Sequence, residues 1–286
     1  MMEFLFWLGV QDRIIATGEA PTGLTFPEQF RAQAEQIEVI AEPFVPGKEY
    51  LGVPFEALLN KRPDFVVSDF TTTFVSFSQK DLAQRGIPSY LTLSNDCEGG
   101  FTSPRTDLRA VQQDIENLGR IFGVPDRAAE LVDQMNAKVA EVATRVRDAN
   151  RPTVLYLSGE FITADKPGSA LGNRHVVNAI LELAGAKNVF ADVDAAYQTV
   201  GWEEMAARDP DIILIGSYGY GGQEDYDKII TSARKVLSTN PATRNLRAVA
   251  QGRMYDINGS LLGSANVRNA DGVAAVARIV HPTAFP

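Results

Sequence analysis

Two tyrosines and two glutamates recur at matched positions and are the first candidates for chemistry. Tyr50 lies six residues before Glu56, and Tyr197 lies six residues before Glu203. A tyrosine offers a ligand both an apolar ring and a hydroxyl group, so Tyr50 and Tyr197 are either ligand-binding residues or aromatic residues that only pack within their loops. A carboxylate in the first turn of a helix stabilises that helix by about 0.3–1 kcal/mol. Glu56 and Glu203 therefore either serve only their helices or contact a partner.

These pairs belong to a longer internal repeat. The segments that begin at Tyr50 and Tyr197 share a Tyr, a Val, an aromatic residue, a Glu and a Pro-Asp pair at identical offsets, 147 residues apart. Two copies at half-chain spacing are too few for a solenoid, which needs at least three short repeats. They indicate two similar lobes, and a cleft between similar lobes is where a ligand is expected.

Composition and motifs exclude several classes of function. A net charge of −9 and a pI near 4.9 disfavour nucleic acid as a partner. One cysteine and two histidines argue against a resident metal site, so no cofactor is expected. The glycine motifs of dinucleotide enzymes, phosphate-binding loops and serine hydrolases do not occur. A binding protein is therefore favoured over an enzyme. The alternative is a two-lobed α/β enzyme such as a glycosyltransferase, because such enzymes often lack short motifs.

Short Val- and Ile-rich runs alternate with helical patterns in both halves of the chain. The predicted strands are 13–17, 38–41, 64–68, 89–93, 153–158, 188–190, 211–216 and 253–257. The predicted helices between them are 55–61, 79–84, 175–184 and 203–208. Apolar strands that do not alternate with polar residues are typical of parallel sheets buried on both faces. The pattern predicts the α/β class, with a doubly wound parallel sheet in each half.

The middle of the chain predicts a connecting helix. A helical pattern over 107–122 ends at Gly123, and a second one begins at Val124-Pro125 and continues to about Asp148. At 1.5 Å per residue this second helix is about 35 Å long, enough to cross between lobes. We predict an N-terminal lobe over 1–123, an interdomain helix over 124–149 and a C-terminal lobe over 150–286. The connection is expected to be rigid, because it contains no Gly/Ser-rich linker.

Ligands of doubly wound sheets bind at the carboxyl ends of the strands, which predicts further binding residues. In the loops after the predicted strands these candidates are Asp69, Phe70, Asn95, Phe161, Tyr218 and Tyr220. Arg174 and Arg268 are candidates for holding an anionic group, because guanidinium donates in a rigid fork to oxygen acceptors. Together with Tyr50 and Tyr197 they form the predicted ligand site.

Several stretches together carry a resemblance to a known family. They are Phe4–Ala16, Phe55-Glu56 with Pro63-Asp64, Leu118–Leu131, Leu183–Val189, Trp202-Glu203 with Pro210-Asp211, Ala248–Tyr255, and Arg268 with His281-Pro282. In order and spacing they resemble the periplasmic binding proteins of iron-siderophore, haem and cobalamin ABC importers. The resemblance implies two α/β lobes joined by one long helix, with the ligand cleft between the lobes and no catalysis. It also implies that Glu56 and Glu203 dock on the permease and that Tyr50 and Tyr197 line the pocket.

The implied function is that of an extracytoplasmic receptor, periplasmic or anchored at the cell surface. It would capture an iron-siderophore or related metal chelate as a monomer and deliver it to the permease. Haem and cobalamin or another corrinoid are the alternative ligands. A ferric catecholate would call for a larger basic cluster than this sequence has, which favours a less charged chelate or a corrinoid-like ligand bound through aromatic residues. Met1–Gly9 lacks the basic residues and cleavage site of a signal peptide and predicts a short helix instead. Family members carry a strand before that helix, so the first lobe is expected to lack one.

Overall fold

The structure, a computed structural model, describes residues 1–21, 24–41, 52–68, 76–94 and 107–285. The α-helices in these ranges are α1 Met2–Trp7, α2 Glu28–Ala34, α3 Phe55–Asn60, α4 Gln79–Gln84, α5 Arg109–Ile121, α6 Pro125–Val146, α7 Val176–Leu183, α8 Trp202–Ala207, α9 Gln223–Thr239, α10 Arg247–Ala250 and α11 Asn269–Val280. The strands are β1 Val66–Ser68, β2 Ser89–Leu91, β3 Thr153–Ser158, β4 Ser169–Leu171, β5 Lys187–Asn188, β6 Tyr197–Thr199, β7 Ile212–Ser217 and β8 Met254–Asn258. Across the described ranges, no helix combines the length and apolarity needed to cross a membrane.

The C-terminal lobe is built on a parallel sheet with strand order β5-β3-β7-β8. Its central strands are covered on both faces, as their continuous apolar sequences predict. Val154 and Tyr156 of β3 face one apolar cluster, whereas Leu155 and Leu157 face the other. The predicted strand over 153–158 has the observed bounds. The doubly wound α/β architecture is therefore confirmed in this lobe.

The N-terminal lobe has less regular pairing. β1 and β2 pair in parallel, with Val66 opposite Ser89. The strands predicted over 13–17 and 38–41 are reduced to a single parallel bridge between Thr17 and Val39. Ile15 and Val39 are exposed, so burial does little to extend this pairing.

A second, antiparallel pair of strands was not predicted. β4 and β6 pair with Leu171 opposite Tyr197. Each strand is only three residues long and partly polar, so neither produces an apolar run. The buried Asn188 side chain donates a hydrogen bond to the Leu171 carbonyl at 2.8 Å and so ties this ribbon to the main sheet. The ribbon carries Tyr197, one of the predicted ligand-binding residues.

The long helix α6 lies in a core that both lobes share. It runs for 22 residues within the predicted range, and its buried stripe includes Leu131 and Met135. One continuous apolar cluster joins these residues to Leu118 of α5, Ile180 of α7 and Val273 of α11. Because well-packed interiors resist deformation, the helix acts as a rigid connection. The lobe boundaries at 123 and 150 remain a prediction.

The internal repeat appears as the same helix and turn in both lobes. α3 and α8 are six residues long and start at matched positions. Two residues beyond the end of each helix lies a residue in the left-handed conformation, Arg62 with φ 51° and Asp209 with φ 36°. These are the two non-glycine residues with positive φ in the described ranges. Such conformations are costly for residues with a side chain. Their recurrence at the matched position shows that the repeat is structural.

Leu131→Ala tests the shared core. Leu131 is fully buried, so the substitution should lower the free energy of unfolding by about 2–5 kcal/mol. Gln134→Ala, on the exposed face of the same helix, is the control and should change it by less than about 0.5 kcal/mol. Denaturant unfolding followed by circular dichroism measures both. If the protein unfolded in two separate transitions and Leu131→Ala shifted the midpoint of only one of them, a core common to both lobes would be contradicted.

Candidate ligand-binding cleft

The lobes meet where residues 24–26 of the first contact the carboxyl-end loops of the second. The Leu24 N–H donates to the Gly219 carbonyl at 3.3 Å, and the Asn258 amide donates to the Leu24 carbonyl at 3.1 Å. The Arg268 guanidinium donates to the Thr25 carbonyl at 2.8 Å. These bonds lie at the edge of the sheet where ligands of doubly wound folds bind.

A cavity of about 70 Å³ opens beside this junction. Its lining includes Glu3, Glu19, Thr25, Tyr218, Ser260 and Asn266. Pockets that enclose a whole small molecule usually measure about 300–1,000 Å³. This cavity therefore has room for a few atoms of a ligand, and the rest of a metal chelate would lie outside it.

Tyr218 and Tyr220, two of the predicted site residues, form an aromatic wall. Their rings stack with centroids 5.4 Å apart and an interplanar angle of 17°. Gly263 is needed for this arrangement, because a Cβ atom there would lie 2.2 Å from the Tyr218 hydroxyl. Tyr220 is 41% exposed and presents its ring to solvent. The wall offers a flat apolar surface to a bound molecule.

The Glu160 carboxylate, which the sequence analysis did not single out, positions the loop that carries the wall. It accepts hydrogen bonds from the Tyr218 N–H at 2.6 Å and from the Ser217 hydroxyl at 2.9 Å. Its other oxygen accepts from the Ser158 hydroxyl at 2.9 Å. The sequence signal that identifies Glu160 as a candidate site residue is its position in the turn that follows β3. The predicted Phe161 follows in the same turn and is 56% exposed.

Tyr197 is held by a histidine. The His175 Nε2 atom lies 3.1 Å from the Tyr197 hydroxyl, and the two rings meet edge to face at 5.0 Å. His175 Nδ1 accepts the Val177 N–H at 3.1 Å and so caps α7. With Nδ1 acting as an acceptor, Nε2 carries the proton and donates to the tyrosine oxygen. This bond fixes the hydroxyl while the ring stays 46% exposed.

The carboxylate of Asp114 on α5 fixes the chain just after β2. It accepts hydrogen bonds from the Leu93 N–H at 2.7 Å, the Ser94 N–H at 2.9 Å and the Tyr90 hydroxyl at 2.6 Å. Burial raises the pKa of Asp114 although these donors oppose the shift. The predicted Asn95 follows immediately in sequence. Asp114 thus fixes the last described residues before Asn95.

Both predicted ligand-binding arginines hold carboxylates of the protein. Arg174 donates to the two Asp194 oxygens at 2.8 and 2.7 Å and lowers the pKa of that carboxyl. Arg268 donates to the two Glu3 oxygens at 2.7 and 2.8 Å; Glu3 is buried, and Arg268 is mostly buried. The Arg268–Glu3 pair joins the lobes across 265 residues of sequence. Contact of either arginine with an anionic ligand remains a prediction.

The remaining predicted residues divide into two groups. Tyr50, Asp69, Phe70 and Asn95 lie outside the described residues. Glu56 and Glu203 are each the second residue of their helix, α3 and α8, and both are exposed. Their equivalent placement follows from the repeat.

Arg268→Ala tests the interlobe ion pair. It leaves the Glu3 carboxylate buried without its cation, so it should lower the free energy of unfolding by about 3–5 kcal/mol. Arg174→Ala breaks a far more exposed pair and should cost less than about 1 kcal/mol. The double variant Glu3→Gln/Arg268→Met should recover most of the loss, because no charge stays buried. Equal losses for Arg268→Ala and Arg174→Ala in denaturant titration would contradict this role.

Known proteins share the sequence pattern. YvrC of Bacillus subtilis (strain 168), an uncharacterized ABC transporter substrate-binding lipoprotein, is 22% identical over 99% of this chain and 78% of its own length. The high-affinity haem uptake system protein IsdE of Staphylococcus aureus (strain bovine RF122 / ET3-1) is 27% identical over 55% of this chain. That alignment covers 51% of IsdE, so the chain matches about half the length of this relative.

The fold recurs in solved structures, and the family model matches most of the chain. A protein of an ABC-type Fe3+-hydroxamate transport system from Saccharomonospora viridis DSM 43017 aligns with a TM-score of 0.81 at 23% identity, over 98% of this chain and 90% of its own. The sequence model described as periplasmic binding protein matches residues 2–261. The chain therefore belongs to the periplasmic binding proteins, the non-enzymatic, two-lobed substrate-binding proteins of ABC transporters.

Proposed function

We propose that this protein is the extracytoplasmic receptor of an ABC importer and that it captures an iron-siderophore complex of low net charge. The observation that carries the proposal is the pairing of charges in the cleft. Arg174 and Arg268 each hold a protein carboxylate, whereas Tyr197 and Tyr220 expose their rings. The described cleft therefore offers aromatic surface and hydroxyl groups in place of unbalanced positive charge.

This balance of groups favours one class of siderophore over another. A ferric catecholate carries several negative charges, and its capture would require cations that are not already neutralised. A ferric hydroxamate carries little net charge and presents amide, hydroxyl and methylene groups. Stacked phenol rings and oriented hydroxyls suit such a surface, because each ring combines an apolar face with a polar tip. The fold match to a protein of an Fe3+-hydroxamate transport system is consistent with this choice.

Haem is the second candidate, and cobalamin is the third. Two observations support haem: the local match to a haem uptake protein and a tyrosine whose hydroxyl is held by His175. Titration with ferrioxamine B, ferric enterobactin, haemin and cyanocobalamin, followed by native mass spectrometry and absorbance, separates the candidates. Tight binding of ferrioxamine B with weak binding of the catecholate supports the proposal. Selective binding of haemin or cyanocobalamin would replace it with one of the alternatives.

Tyr197→Ala tests the aromatic contact. If the ring is a buried anchor in the complex, its removal should weaken ferrioxamine B binding by about 1–3 kcal/mol. Tyr255→Ala is the control, because Tyr255 is a similarly exposed tyrosine toward the amino end of β8, away from the cleft edge. Isothermal titration gives both dissociation constants. An unchanged constant for Tyr197→Ala would show that ligand contacts lie elsewhere.

We also propose that Glu56 and Glu203 dock the receptor on its permease. Both carboxylates are exposed at the start of helices that the repeat places equivalently in the two lobes. A permease with two similar subunits presents two similar sites, and one carboxylate on each lobe matches that arrangement. Charge pairs of this kind set orientation and the rate of encounter more than affinity.

Glu56→Arg and Glu203→Arg test the docking proposal. Each should abolish ligand uptake by cells while the purified variant binds ligand as the wild type does, because the reversed charge repels the permease. Glu204→Arg is the matched control, since Glu204 lies in the same first turn of α8 and is equally exposed. It should leave uptake largely intact. Wild-type uptake by both test variants would show that these glutamates serve only their helices.

A further inference from the structure

We infer that Ser260 forms a polar subsite at the lobe junction, which binds a neutral hydrogen-bonding group of the ligand such as an amide or hydroxyl. This inference rests on the proposed function and names one contact within it. Ser260 follows β8 directly, in the single-turn segment Gly259–Leu261. It therefore lies at the carboxyl edge of the sheet, where ligands of this fold class bind.

The backbone of Ser260 is fixed on both sides by asparagines. Its N–H donates to the Asn258 side chain at 2.9 Å, and its carbonyl accepts from the Asn266 side chain at 2.7 Å. The same Asn258 amide group donates to Leu24 of the other lobe at 3.1 Å. The position of Ser260 is thus set by the junction itself, and its hydroxyl takes no part in holding it there.

The Ser260 hydroxyl is buried without a partner. The residue is 5% exposed, and its Oγ atom has no hydrogen-bond partner in the described part of the chain. Buried polar atoms are nearly always paired in folded proteins, so such an atom requires an explanation. Four other side-chain atoms share this property among the described residues, on Gln11, Arg31, Tyr156 and Asn173. Of the five residues, Ser260 is the one that lines the junction cavity.

Ser260 lines the cavity, and rotation of its short side chain about χ1 would bring the buried Oγ atom to the cavity wall. The cavity then determines what kind of group this hydroxyl can meet. It measures about 70 Å³ and is also lined by Glu3, Glu19 and Thr25. The charge of Glu3 is balanced by Arg268, and no lysine, arginine or histidine side chain is among the described residues that line the cavity. A negatively charged group of the ligand would find no side-chain cation there to pair with, whereas a neutral donor or acceptor fits. The peripheral amide or hydroxyl groups of a hydroxamate siderophore have the required size and charge.

Ser260→Ala tests the assignment with ferrioxamine B as the probe. The dissociation constant should rise about three- to tenfold, the usual effect of one neutral hydrogen bond. The thermal midpoint of the ligand-free protein should stay the same or rise, because no hydrogen bond within the described structure is lost. Ser264→Ala, in the same cavity lining, is the control and should change the constant by less than about twofold. Ala20→Leu should weaken binding as well, by filling the cavity from the opposite lobe.

Failure of the proposed function and failure of the Ser260 subsite give different results. A wild-type protein that binds none of ferrioxamine B, haemin and cyanocobalamin contradicts the proposed function and, with it, the subsite. If the wild type binds one of them and Ser260→Ala binds it equally well, only the subsite is wrong. A fall in the thermal midpoint of Ser260→Ala, or an equal effect of Ser264→Ala on affinity, also overturns the assignment to Ser260.

Discussion

The buried stripe of α6 is the constraint on which the rest of the structure depends. Leu131 and Met135 pack into one apolar cluster that draws on helices of both lobes. A wide opening of the lobes would expose part of that cluster to water, at about 25 cal/mol for each Å² of apolar surface. The junction adds a buried ion pair between Glu3 and Arg268. We therefore expect ligand capture to use small displacements of a cleft that is largely formed beforehand.

In such a cleft, charged side chains serve mainly to hold loops and lobes in position. Glu160 orders the loop of Tyr218, Asp114 orders the chain beyond β2, and Arg268 ties the lobes together. Each of these charged groups is already paired or hydrogen-bonded within the protein. Its electrostatic effect on a ligand in the cleft is therefore small. Under the proposed function, contact with the ligand falls to the exposed aromatic rings and to hydroxyls such as that of Ser260. The proposed ligand class rests on this division of roles.

The sequence predicted the features that depend on local patterns. The strand over 153–158 and the six-residue helices α3 and α8 follow from apolar runs and from the repeat. The β4–β6 ribbon was missed, because three-residue strands leave no periodicity to detect. The pairing of Arg268 with Glu3 could not be predicted either, since it joins residues 265 positions apart and depends on the packed arrangement of the lobes. The sequence predicts Arg174 and Arg268 as ligand contacts, whereas the partners that tertiary packing gives them are carboxylates of the protein.

The two lobes preserve the repeat unevenly. The left-handed turns at Arg62 and Asp209 keep the starts of α3 and α8 equivalent. Beyond them the copies diverge: Asp211 accepts hydrogen bonds from Thr153, whereas the matched Asp64 is exposed. A partner with two similar sites requires equivalence only at the surface it contacts. Asp211 stands at the amino end of β7, away from the cleft edge, so this divergence concerns how each lobe anchors its own strand. The equivalence of α3 and α8 is thus kept by the local turns and does not require the strands behind them to match.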